Sequence, residues 1–268
     1  MFDPAGLPAE LTLASDPLGA RLEDAGLSSS QPPQQTIYDG WLLRYSPGKA
    51  KRARSVNTIG PGRLPLEDKL AHVESFYHRA GLPALYRITP YTQPAGLDTA
   101  LAAAGYVAGD ESRVMWTELL RCKNSALPSD ASVTDVGAAA FADIVAALRG
   151  SPAAQAAAER QRLANSILPG HFVVLRDGQE PLACGCVVVD EDVAGIFNMV
   201  TTPEQRCQGH ATAIVERLLQ HASAAGARWA YLQVDATNSA ARRVYDKFGF
   251  RDRYAYWYRA RPPQGELQ

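Results

Sequence analysis

The stretch FNMVTTPEQRCQGHATAIVERLL, Phe197 to Leu219, decides the fold. It begins as an apolar strand, and Pro203 forbids regular continuation of a sheet there. Arg206-Cys207-Gln208-Gly209-His210-Ala211 then leads straight into helical spacing. Ile214, Val215, Leu218 and Leu219 share one face of that helix, with Glu216, Arg217, Gln220 and His221 opposite, and Gly226 marks its C-terminal stop. The first turn of a helix leaves backbone N–H groups without intrahelical partners. Together with the positive end of the helix dipole, these donors make a site for a phosphate or pyrophosphate. Gly209 removes a side chain where phosphate oxygens approach the backbone, Ala211 keeps its position small, and Arg206 adds a positive charge at the lip.

Outward from this junction the pattern alternates between strand and helix periods. Upstream are a strand at Ser132–Val136, helices at Ala138–Leu148 and Pro152–Ser166, and strands at Phe172–Leu175, Leu182–Val189 and Val193–Val200. The junction helix covers Gly209–Ala225. Downstream come a strand at Trp229–Val234, a helix at Ser239–Phe248 and a strand at Tyr254–Tyr258. This order predicts a mixed α/β sheet rather than a helix bundle.

The first half predicts a helical turn or two before residue 35 and strands at Tyr38–Tyr45 and Ser55–Ile59. A helix at Glu67–Ala80, a strand at Leu85–Thr89, a helix at Leu97–Ala104 and a strand at Arg113–Leu119 follow. A chain of 268 residues suits two domains better than one. Leu127–Asp130, LPSD, reads as the linker, dividing the chain into 1–126 and 127–268. LDTALAAAGY (Leu97–Tyr106) faintly echoes ARRVYDKFGF (Ala241–Phe250), each a short helix, a glycine, an aromatic and a strand.

R-x-x-G-x-A between a strand and an amphipathic helix resembles the acetyl-CoA pyrophosphate motif of the GNAT superfamily of N-acetyltransferases. LQVDATNSAARRVYDKFGF, Leu232 to Phe250, is similar to that family's later strand, asparagine, helix and Tyr-x-x-x-Gly-Phe ending. The resemblance spans roughly Ser132 to Tyr258. It implies a GNAT-like acyl-CoA N-acyltransferase fold, with the pantetheine arm of acetyl-CoA lying in a V-shaped opening between the strands that end near Val200 and Val234. Met199, Val200 and Thr201 would flank the thioester, the Val200 N–H stabilising the oxyanion. Arg206, Cys207, Gln208, Gly209, His210, Ala211 and Thr212 would hold the pyrophosphate. Asn238 would sit near the pantetheine, and Tyr245 would act as the acid toward the sulfur.

The reaction so implied is direct attack by a primary amine on the acetyl carbonyl, with a small-molecule acceptor as the leading reading. A protein or peptide amine and a non-catalytic acyl-CoA sensor or scaffold are the alternatives. No base is assigned. Val193–Pro203 holds no Asp or Glu; Asp190, Glu191 and Asp192 fall in a hairpin turn, Glu204 in the loop and Asp235 at a strand end. His210 lies at a loop position expected to face solvent, and Cys207 lacks the His–Asp pair a nucleophile needs. The first half has no equivalent motif. Its junction IGPGRLPLEDK places Pro61 and Pro65 where donors should be, so a second GNAT-like domain there, in tandem, would have lost cofactor binding.

Composition narrows the remaining classes. A net charge of −1 supplies no general attraction to nucleic acid or an anionic membrane. Lys49, Lys51, Arg52 and Arg54 are split by strand alternation and read as a solvated edge. No uncharged apolar run approaches a bilayer span. MFDPAGLPAEL lacks a basic leader followed by an apolar core, so a cytoplasmic enzyme or binding protein with reduced thiols is expected. Cys184 and Cys186 share one strand face and read as buried thiols. Cys122 and Cys207 stand apart, and no metal site is expected. The oligomeric state is open, a homodimer included.

Overall fold

The computed structural model describes residues 16–48, 50–119 and 132–262. In chain order these form α1 (Pro17–Ser28), β1 (Gln34–Tyr38), β2 (Trp41–Tyr45), β3 (Val56–Asn57), α2 (Leu66–Arg79), β4 (Leu85–Ile88), α3 (Leu97–Ala103) and β5 (Val107–Glu118). Then follow β6 (Ser132–Val136), α4 (Ala138–Arg149), α5 (Ala153–Ala164), β7 (Gly170–Asp177), β8 (Glu180–Asp190) and β9 (Val193–Thr201). The chain ends in α6 (His210–Ala224), β10 (Trp229–Asp235), α7 (Ser239–Asp246) and β11 (Arg251–Ala260). The described residues fall into two compact units, one of 16–20, 32–112 and 254–262, the other of 21–31 and 113–253. The expected division at Ala126/Leu127, its linker, Cys122 and Lys49 lie outside the described residues. No helix among the described residues is long and apolar enough to cross a membrane.

In the first unit β1 and β2 form an antiparallel hairpin, β2 pairs antiparallel with β3, β3 parallel with β4, and β4 antiparallel with β11. Tyr38–Tyr45 is therefore not one strand. Asp39 and Gly40 form a two-residue turn with φ of 42° and 81°, positive at both positions as the twist of a tight hairpin demands. Trp41, Leu43, Val73, Tyr77, Tyr86 and Leu101 build the core. The basic cluster also departs from expectation. Lys51–Arg54 is a 3₁₀ turn rather than a strand. Lys51 pairs with Asp110 and lies 5.9 Å over the Tyr258 ring, and the Arg52 carbonyl accepts from Arg44. The Lys51 charge is thus engaged locally, and Arg52 and Arg54 are half-buried rather than spread along a solvated edge.

The second unit orders its strands β5-β10-β9-β8-β7-β6. β6 to β9 pair antiparallel in succession and β9 pairs parallel with β10. Alternation along the strands divides the core in two. Val173, Leu175, Val187, Ile196 and Leu232 pack against Ile214, Val215 and Leu218 of α6. Val174, Cys184 and Cys186 face Phe141 and Val145 of α4 and Leu163 of α5 on the opposite side. A fully buried aliphatic side chain such as Ile214 contributes roughly 1.5–3 kcal/mol. α6 is thereby fixed on the sheet, and its N-terminus with it.

Candidate functional site

β9 runs through Thr201 into a 3₁₀ turn at Pro203–Gln205, and α6 starts six residues after Glu204. The loop closes with two left-handed residues, Cys207 at φ 63° and Gly209 at φ 86°. Gly209 is the N-cap of α6 and supplies no side-chain cap. A Cβ there would meet no atom within 4 Å, so glycine is required by the backbone conformation and leaves open space above the helix end. Ala213 donates to the Gly209 carbonyl at 3.1 Å. Among the described residues, the N–H groups of Cys207, Gln208, Gly209, His210, Ala211 and Thr212 have no backbone acceptor. Six successive donors at the positive end of a four-turn helix form an anion cradle, and exposed Arg206 stands beside it.

The His210 side chain corrects the expectation that it faces solvent. It is buried, and its Nε2 lies 3.2 Å from Gln205 Oε1, tying the 3₁₀ turn to the helix. Cys207 is exposed and a free thiol. Cys184 and Cys186 are buried as expected, and burial pushes both thiols up to about 12.

The opening expected between β9 and β10 has a structural basis. Their parallel pairing ends at Ile196 and Leu232, so Phe197–Thr201 lies beyond it. In this region β9 carries a bulge: Cys186 pairs with Phe197 and Cys184 with Val200, leaving Asn198 and Met199 opposite Gly185. Val189 donates to Pro169 on the β7 side, and Thr202 donates to Leu182 of β8 at 3.1 Å. Alternation then places the even-numbered residues of β8 toward β9, and Val200 in a hydrogen-bonded pair with Cys184. The Val200 N–H is thus engaged with β8 and does not face the opening. Thr201 turns to the open side, and Asn198 and Met199 have no backbone register partner on β8 because Gly185 faces β7, although the Cys184 thiol reaches the Asn198 carbonyl at 3.9 Å. Gly185 accommodates the bulge: a Cβ there would lie 2.4 Å from Met199 Sδ and 2.8 Å from Ile214.

Tyr245 lies on α7 within the α6-side core, edge-on to Phe250 at 6.0 Å. Burial pushes its phenol up to about 12, so it stays protonated through neutrality, and its hydroxyl has no protein partner among the described residues. Asn238 caps α7, its Oδ1 accepting from Ala241 N at 3.0 Å, which leaves its amide NH₂ for other use. Three of the nearby carboxylates, Asp190, Asp192 and Asp235, are engaged, whereas Glu204 is exposed in the loop. Asp190 and Asp192 pair with Arg21 at 2.9 and 3.5 Å, at the opposite end of β9 from the bulge. Asp235 accepts from Thr237 N and Oγ1 at 2.8 and 2.6 Å.

A polar cluster that sequence reading missed lies against the bulge. Asn198 Nδ2 donates to Glu159 Oε1 at 2.6 Å, and Asn198 Oδ1 accepts from Arg149 at 3.3 Å. Arg162 forks onto Glu159 through Nε at 3.0 Å and Nη2 at 2.6 Å. Burial opposes the charged form of Glu159, but the Arg162 guanidinium outweighs it and holds the carboxyl below its usual range.

The sequence profile of the acetyltransferase (GNAT) family matches residues 141–250. Over 229 residues the chain is 32% identical to the N-acetyltransferase YobR of Bacillus subtilis, covering 82% of this chain and 89% of that one. Among solved structures, a GCN5-related N-acetyltransferase from Kribbella flavida matches with TM-score 0.69 at 17% identity, covering 93% of this chain and 97% of that one. A tandem GNAT protein from the clavulanic acid biosynthesis pathway matches with TM-score 0.59 at 16% identity, covering 74% and 70%. These two structures share the fold.

Proposed function

The chain belongs to the GNAT family of acetyltransferases, and from that premise we propose that it moves an acetyl group from acetyl-CoA to the primary amine of a small molecule within a ternary complex. The observation that carries the proposal is the run of six unpartnered amides from Cys207 to Thr212, placed where β9 has left β10. These amides and Arg206 would hold the pyrophosphate. The strand edge at Met199–Thr201 would hold the pantetheine and its thioester, with the NH₂ of Asn238 alongside. Acetyl-CoA supplies the activated acyl group.

The residues then have distinct tasks. The donor for the oxyanion passes from Val200 to the Met199 and Thr201 amides, the ones on the open side. As the amine nitrogen bonds to the carbonyl carbon and the carbon–sulfur bond breaks, Tyr245 gives its phenolic proton to the departing thiolate. The nitrogen releases its proton to water, and solvent restores the phenol. The remainder of the rate comes from orientation of the two reactants.

The test is thiol release from acetyl-CoA in the presence of polyamines, amino acids, aminoglycosides and peptides. Turnover with a small amine and none with peptides is the expected outcome. Turnover confined to peptides would reassign the acceptor. Tight CoA binding without turnover on any amine would indicate a sensor or scaffold instead.

A further inference from the structure

We infer that Asn198 and Glu159 are positioning residues for acetyl transfer, locking the β9 bulge in the conformation that keeps the Met199 amide out of the β8 ladder and available to the opening. The inference deepens the proposed function and rests on it.

Asn198 sits at φ 54°, in the left-handed region that side-chain-bearing residues rarely enter. Asparagine tolerates this region better than most, yet tolerance does not hold a strand there. What holds it is a clamp on both ends of its carboxamide, from Glu159 of α5 on one side and Arg149 of α4 on the other. Glu159 is itself immobilised by the two-pronged contact from Arg162, whose planar fork fixes direction as well as distance. On the opposite face of the strand Met199 is seated over Gly185, the one residue of β8 without a side chain to exclude it. The bulge is therefore gripped from both faces. With Phe197 and Val200 paired to β8, the two residues between them have only Gly185 opposite, and that residue faces β7. Flattening the bulge would shift the alternation of the residues beyond it by one, exchanging the inward and outward amides of β9. A clamp on Asn198 consequently selects which amides face the opening.

The closing experiment compares the full-length protein with Asn198→Gly, Asn198→Ala and Glu159→Gln. Calorimetry measures affinity for CoA and for acetyl-CoA, which requires no acceptor, and thiol release measures kcat and KM. Glycine enters the left-handed region freely and alanine does not, so the pair separates the bulge conformation from the lost side chain. CoA affinity is expected to fall only slightly in all three variants, because the pyrophosphate cradle is untouched and only the pantetheine contacts at Met199–Thr201 shift. Wild-type protein should bind acetyl-CoA more tightly than CoA, and this preference should vanish in Asn198→Ala and persist in Asn198→Gly. kcat should fall about 100-fold in Asn198→Ala, the scale of a small misplacement at a reacting centre, while KM for acetyl-CoA rises no further than the lost preference over CoA requires. Asn198→Gly should recover most of that loss, and Glu159→Gln should lie between the two. Wild-type preference and rate in Asn198→Ala would overturn the inference, as would equal losses in the alanine and glycine variants. A wild-type protein that binds neither CoA nor acetyl-CoA would overturn the proposed function and this inference with it, a pattern distinct from either.

Discussion

Two strand-to-helix junctions, one in each unit, use the same local device with opposite results. Before α2, the loop Gly60–Pro65 brings backbone amides to the start of a helix, and the chain fills the site with its own anion. The Asp39 carboxylate accepts from Arg63 N at 2.9 Å and Leu64 N at 3.0 Å. Lys69, buried and 4.1 Å over the Trp41 ring, completes the arrangement with contacts of 3.1 Å to the carboxylate and 2.7 Å to the Asp39 carbonyl. A Cβ on Gly62 would collide with Asp39 and Lys69, whereas a Cβ on Gly209 would meet nothing within 4 Å. Before α6 no side chain caps the helix, and six amides are left over. Both junctions carry a left-handed glycine before a helix. The capacity to bind an external phosphate lies in what the chain declines to satisfy for itself.

The comparison can be sharpened by experiments of decreasing effect. Tyr245→Phe removes the acid without touching the cradle. It should lower kcat about 10²-fold or more, within the usual range for a general acid, at unchanged CoA affinity. Steady-state kinetics beside calorimetry would show this. Gly209→Val forces a β-branched residue into φ 86° above the amides. The conformation alone costs roughly 1–2 kcal/mol, so CoA affinity should drop about 5- to 30-fold, measurable by titration, while Gly62 variants should disturb folding of the first unit rather than binding.

Asp39→Asn is the subtler test. Hydrogen bonds from Leu64 and Arg63, with Lys69 beside them, hold the Asp39 carboxyl down to about 2. A depressed folded-state pKa contributes stability that is present above the unfolded value near 3.9 and lost as the pH falls through about 2. Unfolding of the wild-type protein between pH 4 and pH 2 should therefore carry a pH dependence that Asp39→Asn weakens, with no change in CoA affinity at neutral pH. Thermal scans across that window would show it.

Much of this was legible in the sequence, for reasons that are local. R-x-x-G-x-A at Arg206–Ala211 announces the cradle because glycine, small residue and helix periodicity are neighbours in the chain. Helices α2, α4 and α6 and strands β6 and β9 lie within about two residues of their expected bounds, since their apolar periods are strong. What escaped depends on pairing across distance. The Asp39-Gly40 turn is an exception, since Asp-Gly between two apolar runs marks a two-residue hairpin and the single-strand reading runs through it. The bulge had one signal, Gly185 alone in the apolar run LACGCVVVD, where an isolated glycine marks a bulge or a close approach. Missing it leaves the direction of the Val200 amide undetermined. Glu159 and Asn198 are 39 residues apart, and an alanine-rich helix gives no hint that its one glutamate will clamp a strand.

The central claim is that the free amides before α6 grip a diphosphate. The direct measurement is amide chemical-shift mapping of the ¹⁵N-labelled protein on titration with CoA. The largest shifts are expected at Cys207–Thr212, smaller ones at Met199 and Thr201, and none at Arg63 and Leu64, whose donors Asp39 already holds. Saturating CoA that leaves Cys207–Thr212 unmoved, or that perturbs Arg63 and Leu64 instead, would contradict it.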